Sequence, residues 1–209
     1  MDGAMTHDRR TVLKGAGAAA LAVALPARVL AQPAGASERD RRILGVAKDR
    51  LERYRGSLWR TDLVGVADFG LPSSMPRFHF ADLEKGEVRS FLVAHGKGSD
   101  PEHDGMLKWF SNEPNSLATS RGAYITYEWY VGKYGTSIRL GGMDADNSNV
   151  LDRAIVLHPA WYANASVIEK WGKLGRSDGC FAMGEADFNE ALWHLSGGRL
   201  IFADRLGIY

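Results

Sequence analysis

The stretch Gly175-Arg176-Ser177-Asp178-Gly179-Cys180, with Ala154-Ile155-Val156-Leu157-His158 ahead of it, decides how this chain is read. Cys180 is the only cysteine, so an intramolecular disulfide is excluded. That leaves an inert core thiol, an intermolecular bridge or a reactive nucleophile. The setting favours the nucleophile. Gly179 permits a sharp backbone turn, and glycine with small polar neighbours leaves amide N–H groups free to point at a developing oxyanion. A structural cysteine sits more often inside a continuous apolar strand. His158 closes an apolar run of strand character, and Cys180 follows 22 positions later, a separation that suffices to bring the chain back beside the same strand end. His95, in Ala94-His95-Gly96, also ends an apolar run and competes for the role of base.

The N-terminus reads as an export signal. Arg9-Arg10-Thr11-Val12-Leu13-Lys14 is a twin-arginine pattern. The weakly apolar Gly15–Leu25 that follows is shorter than the roughly 20 residues a bilayer span requires, and Val29-Leu30-Ala31 offers small residues for cleavage. The organisation expected is a signal over residues 1–31, a linker and helix over 32–59, and a catalytic domain over 60–209. The protein is expected to be periplasmic or in the cell envelope, with no stable membrane insertion once the signal is removed. Residues 1–31 carry four basic and two acidic side chains, which leaves the remainder close to neutral. That balance gives no support for nucleic-acid binding or a polybasic membrane patch.

Along the rest of the chain, Ser37 or Asp40 caps a helix to about Arg55, with Ile43, Ala47, Leu51 and Tyr54 on one face. Strands are expected over 63–68, 77–82, 88–94, 122–128, 137–140, 154–157 and 199–203, and helices over 165–171 and 185–195. The fold class is therefore mainly β or α+β, with an N-terminal helix and a helix before the last strand. Residues 95–120 read as a long irregular loop, poorly packed by itself and lying over the catalytic groove as a lid. Asp144, Asp146 and Asn147 lack the glycine and distal glutamate of a calcium loop and read as a solvated turn. The two histidines form no regular zinc-ligand pattern, so neither metal nor cofactor is expected. Core packing is the favoured account of Trp161, Trp171 and Trp193.

The pattern His158…Ser177-Asp178-Gly179-Cys180 resembles the signature of YkuD-type L,D-transpeptidases, a strand-end histidine followed some twenty residues on by Ser/Thr-x-Gly-Cys. Asp68-Phe69-Gly70-Leu71-Pro72-Ser73-Ser74, Phe91-Leu92-Val93-Ala94-His95-Gly96, Phe110-Ser111-Asn112, Ser137-Ile138-Arg139-Leu140 and Arg153–His158 resemble the murein branch of that family. The resemblance implies a β-sandwich-like catalytic domain. It further implies that Cys180 attacks the bond before the terminal D-Ala of a peptidoglycan tetrapeptide stem, and that an amine then takes the acyl group. His158 would be the general base, Gly179 and Cys180 amides the oxyanion hole, Ser177 the brace of the loop, and Asp178 its variable position. Pro159 stands where the family usually has glycine. Phe181-Ala182 follows where relatives place an arginine or asparagine two residues after the cysteine, which leaves the substrate carboxylate to Arg176 or Arg139. His95 and Tyr162 complete the candidate substrate-binding set, with Trp161 beside Tyr162 as an aromatic wall. Two rival functions are an L,D-carboxypeptidase, with water as acceptor, and a non-catalytic wall-binding module.

Overall fold

The computed structural model describes Met1 and residues 37–209; the signal and cleavage-site readings, and the linker through residue 36, lie outside the described residues. The first helix, α1 (Glu38–Tyr54), starts at Ser37, whose side chain accepts the Asp40 N–H at 3.0 Å. Ser37 rather than Asp40 is thus the cap, and it satisfies one of the orphan amides of the first turn. Ile43, Ala47 and Leu51 form the buried face of α1.

Eight strands follow: β1 (Leu63–Asp68), β2 (Phe78–Asp82), β3 (Glu87–Phe91), β4 (Gly122–Gly132), β5 (Gly135–Gly142), β6 (Val156–Pro159), β7 (Phe181–Met183) and β8 (Leu200–Asp204). Helices α2 (Ala165–Trp171) and α3 (Glu185–Leu195) complete the regular structure. The strands form one mixed sheet in the order β3-β2-β1-β8-β4-β5-β6-β7, with β1/β8 and β6/β7 parallel. The expected α+β class, with a helix at the start and one before the last strand, is the observed one.

The sheet curls so that its two ends approach each other. Ala94, just past β3, makes an antiparallel bridge with Ala182 of β7, and Phe78 of β2 lies 6.3 Å, centroid to centroid, from Phe181 of β7. Phe69, Phe78, Phe181, Tyr124, Leu140 and Phe188 of α3 fill the enclosed core. A second layer packs Ile43, Ala47 and Leu51 of α1 on Val64, Val66 and Phe202. The sandwich-like expectation is thus met by one sheet folded over a core, with α1 covering its outer face.

Several strand boundaries moved. β3 stops at Phe91, β4 runs on to Gly132, β5 extends over Gly135–Gly142, and β6 is shifted to Val156–Pro159. The three-residue β7, directly after Cys180, was not expected at all. It is short and fully buried, so it carries no alternation, and only its pairing with β6 makes it a strand.

The Asp144–Asn147 turn is solvated only in part, with Ala145 and Asp146 exposed and its two ends engaged. Asp144 and Asn147 form a reciprocal capping box, and Asn147 is buried, with Nδ2 donating to Ala123 O at 2.7 Å. Tyr54 OH donates to Asp144, so this turn fastens α1 to β4. Asp68 makes a similar fastening. Its carboxylate accepts the amides of Gly70, Leu206, Gly207 and Ile208, pinning the C-terminal segment to the end of β1.

Trp161, Trp171 and Trp193 are all at least half exposed, against the expectation of core packing. On α3 the buried face is Phe188, Ala191 and Leu195, which leaves Trp193 on the solvent side.

Candidate active site

Cys180 and His158 come together because β6 and β7 are parallel neighbours. His158 pairs with Ala182 and Leu157 with Phe181. Leu157 and Phe181 point into the core, so strand alternation turns His158 to the opposite face, where Cys180 also lies one pleat earlier. The Cys180 Sγ accepts from Val156 N–H at 3.5 Å and donates to Ala154 O at 3.6 Å. No hydrogen bond joins the thiol to His158 in this resting arrangement. Burial pushes the thiol pKa up to about 11, with Asp178 adding to the rise, while the Val156 amide and Arg153 oppose it.

The His158 ring is oriented by its own chain. Nδ1 lies 2.9 Å from Pro159 O, which fixes the proton on Nδ1 and leaves the Nε2 lone pair open. Burial lowers the His158 pKa, partly offset by that carbonyl. Thiol and imidazole are therefore both neutral at rest. Tyr134, at the β4–β5 turn, stacks on the imidazole with centroids 4.5 Å apart and planes 21° apart.

His95 presents a contrast. Arg77 Nη2 donates to its Nδ1 at 2.6 Å, and its Nε2 faces Asp100 Oδ2 at 3.4 Å. Both nitrogens are engaged, and burial with the Arg77 charge pushes the pKa down to about 2. His95 instead holds the cysteine loop from below: its carbonyl accepts Ser177 N–H at 2.9 Å, and Lys97 N–H donates to Ser177 O at 2.8 Å.

Within the loop, Ser177 Oγ donates to Cys180 O at 2.6 Å and accepts Gly179 N–H at 3.2 Å. The Gly179 amide is thereby occupied. The Cys180 N–H has no acceptor among the described residues. Gly179 has φ +116°, and a Cβ there would lie 2.9 Å from Ala118 O, so conformation and space both demand glycine. Asp178 is exposed and pairs with Lys97 at 2.9 Å.

Cys180 opens onto a cleft of about 450 Å³ whose lining includes Pro114, Asn115, Leu117, Tyr130, Lys133 and Tyr134. Four non-glycine residues among those described have left-handed φ, and three of them, Asn115, Leu117 and Ala154, line this cleft. Such strain collects where the surrounding structure over-determines the backbone.

Arg153, whose role was not legible in the sequence, does the over-determining. Its guanidinium donates to Ser111 O, Ser120 Oγ, Ser116 Oγ and Ala118 O, at 2.6–3.0 Å. The 95–120 segment is accordingly not a loosely packed lid. Leu107 and Phe110 join the core, Asp100 is buried, and only residues 114–117 border the cleft.

The proposed carboxylate ligands lie elsewhere. Arg176 donates to Asp100 O and Pro101 O, and Arg139 pairs with Glu128 at 2.9 Å while covering the Tyr130 ring. Neither lines the cleft. Tyr162 is half-buried with Leu174 in a small cluster beside the loop, its hydroxyl pKa raised by burial, and the neighbouring Trp161 projects into solvent. A signal for Lys133 did exist: Tyr130, Lys133 and Tyr134 crowd a turn between two strands. Its relation to Cys180, about fifty residues away, did not show.

A profile of the L,D-transpeptidase catalytic domain, of YkuD type, matches residues 39–203, and the chain belongs to that family. A profile of the twin-arginine translocation signal matches residues 6–26, so the chain is addressed to the cell envelope by that route. Among the described residues, no helix is long and apolar enough to cross a membrane.

Solved structures that the chain resembles include an L,D-transpeptidase from Mycobacterium smegmatis, at 15% identity and TM-score 0.41, with 68% of this chain and 58% of that one covered. An L,D-transpeptidase from Mycobacterium tuberculosis H37Rv gives 14% identity and TM-score 0.43, with 68% and 57% covered. A third is an L,D-transpeptidase in complex with imipenem, at 15% identity and TM-score 0.41, with 68% and 59% covered. The chain spans less than two thirds of the length of each. No curated protein matches it.

Proposed function

We propose that this domain is a peptidoglycan L,D-transpeptidase in which Cys180 is the nucleophile and His158 the general base. The observation that carries the reading is the open Nε2 edge of His158 on the same sheet face as the sole thiol, with Nδ1 committed to Pro159 O. Because the thiol sits near pKa 11, a pre-formed thiolate is scarce at neutral pH, and deprotonation accompanies attack. The thiol leaves Ala154 O and gives its proton to His158 Nε2 as Sγ bonds to the carbonyl carbon before the terminal D-Ala. The oxyanion accepts from the Cys180 N–H, which has no competing acceptor. Collapse breaks the C–N bond, His158 returns the proton to the departing D-Ala amine, and a thioester remains. An amine then attacks the thioester carbonyl, losing its proton to His158, and the thiol leaves with a proton restored.

Family membership supports the choice of stem peptides as donor, and the neutral thiol–imidazole pair supports general-base rather than thiolate chemistry. The test uses a purified tetrapeptide stem with a diamino-acid acceptor, followed by mass spectrometry. The expected products are free D-Ala and an amide-linked adduct. Free D-Ala with the unlinked tripeptide alone would assign water as acceptor, an L,D-carboxypeptidase. Cys180→Ala should abolish both outcomes with its thermal midpoint essentially unchanged, and a carbapenem should add covalently to the parent protein but not to that variant. Turnover persisting in Cys180→Ala would overturn the assignment.

A further inference from the structure

We propose that Lys133 is the anchor for a substrate carboxylate in this cleft, and so a determinant of which stem peptides are accepted. The inference rests on the transpeptidase reading above and deepens it. Two cations line the cleft, Lys133 and Arg153. Arg153 is committed: both terminal guanidinium nitrogens donate to two oxygens each, all on the 111–120 segment, which leaves them no donor for a ligand. Arg176 and Arg139 are outside the cleft and engaged with Asp100 O and Glu128.

Lys133 is different in each respect. Among the described residues it has no acidic partner within ion-pair distance, and its Nζ lies 5.3 Å from the Tyr134 ring centroid. It stands at the turn between β4 and β5, with Tyr130 and Tyr134 on either side as cleft walls. An ammonium held over an aromatic face keeps its hydrogens free for an anion while the ring restricts where the stem can go. The acids of the cleft do not cancel it. Asp178 is paired with Lys97, and Asp152 makes no ion pair with Lys133. The cleft thus offers Lys133 as a cation with no acidic partner, in the same lining as Cys180. Next to the scissile bond a tetrapeptide stem presents two carboxylates to such a cation, its C-terminal one and that of the diamino acid at position three, whereas the free carboxylate at position two lies further along the stem. The chemistry Lys133 recognises is common to both.

The experiment measures binding to Cys180→Ala protein, so that turnover does not intervene. Three synthetic stems are compared: the free diacid, the C-terminal amide and the position-three amide. The diacid should bind about fivefold tighter than one of the two amides, the upper range for a solvent-exposed ion pair, and the advantage should shrink as salt is raised. Whichever amide loses the advantage names the carboxylate. Lys133→Gln should erase that difference by weakening the diacid alone, and Lys133→Arg should retain most of it. Equal affinities for all three stems, or a difference that Lys133→Gln leaves intact, would overturn the lysine assignment while leaving the transpeptidase reading standing. Failure of every stem to bind would overturn both, and is distinguished by the absence of any saturable signal.

Discussion

Two histidines, each closing an apolar run, occupy regions of this molecule that look alike in sequence and behave oppositely. His158 and His95 are both almost fully buried. At His95 a buried arginine and a buried aspartate take the two ring nitrogens, and the imidazole becomes a spacer inside a polar knot. At His158 only Nδ1 is taken, by the carbonyl of the next residue, and Nε2 is left open on the face where the thiol lies. Burial lowers both pKa values, so burial alone does not distinguish them. The difference lies in the second nitrogen. An imidazole can move a proton only if one edge is oriented and the other is free.

The sharpest way to break that contrast is to exchange the two losses. His158→Gln should slow acylation of Cys180 by about 10²–10⁴-fold, the usual worth of a general base, with little change in thermal stability. Stopped-flow mixing with a carbapenem reads the rate. His95→Leu should do the reverse. Removing the acceptor leaves Arg77 Nη2, fully buried and already held at a pKa of about 9, short of one hydrogen bond. A cost of about 3 kcal/mol is expected in urea unfolding, with the acylation rate of the folded fraction nearly unchanged. If His95→Leu stopped acylation in a stably folded protein, the two roles would have to be reversed.

A smaller effect comes from pH. His79 is held at about 4 and His95 at about 2, in both cases chiefly by burial, whereas in the unfolded chain each protonates near pH 6.5. Below pH 6.5 the unfolded state therefore binds more protons, and stability falls as pH falls. Each histidine contributes a slope of up to about 1.4 kcal/mol per pH unit, from 6.5 down to its own folded value, and none above 6.5. Urea midpoints between pH 7 and 5 should show this decline, and His95→Gln should remove the His95 share of it, up to about 1.4 kcal/mol per pH unit. His158, also depressed, implies that acylation keeps its rate somewhat below pH 6.5 before the base protonates.

The smallest expected effect is at Tyr134. Removing the ring stacked on His158 by Tyr134→Ala should cost about 0.5–1.5 kcal/mol of orientation, a few-fold in acylation rate. Tyr134→Phe should recover it, since stacking requires only the ring. An unchanged rate in Tyr134→Ala would show that the Pro159 carbonyl orients the base unaided.

The strand and helix assignments were legible because their signals are local. The alternation of residue types over 77–82, the i, i+3, i+7 run of Phe188, Ala191 and Leu195, and the Ser37 cap each depend on neighbours within a few residues. The core of the candidate site was legible for a related reason: Ser177, Gly179 and Cys180 act on one another across a turn. Arg153, Asn147 and β7 escaped because their partners are far along the chain. Arg153 binds residues 33–42 positions away, and Asn147 reaches back 24 positions to Ala123. Arg176 and Arg139 were misplaced by the same limit. A guanidinium suits a carboxylate wherever it sits, and only the fold determines which acceptors surround it.

By itself the sequence determined a signal-bearing chain with a lone thiol in a turn that demands glycine, a strand-end histidine, and an α+β order of elements. Those follow from local sterics, periodicity and capping, which residues within a few positions fix. The tertiary structure decided which histidine keeps a free nitrogen, which cations are already committed, and which part of the 95–120 segment borders the cleft. Each of these depends on hydrogen-bond partners and charges brought together by the curl of the sheet, and a residue's chemistry is set by what occupies its remaining donors and acceptors.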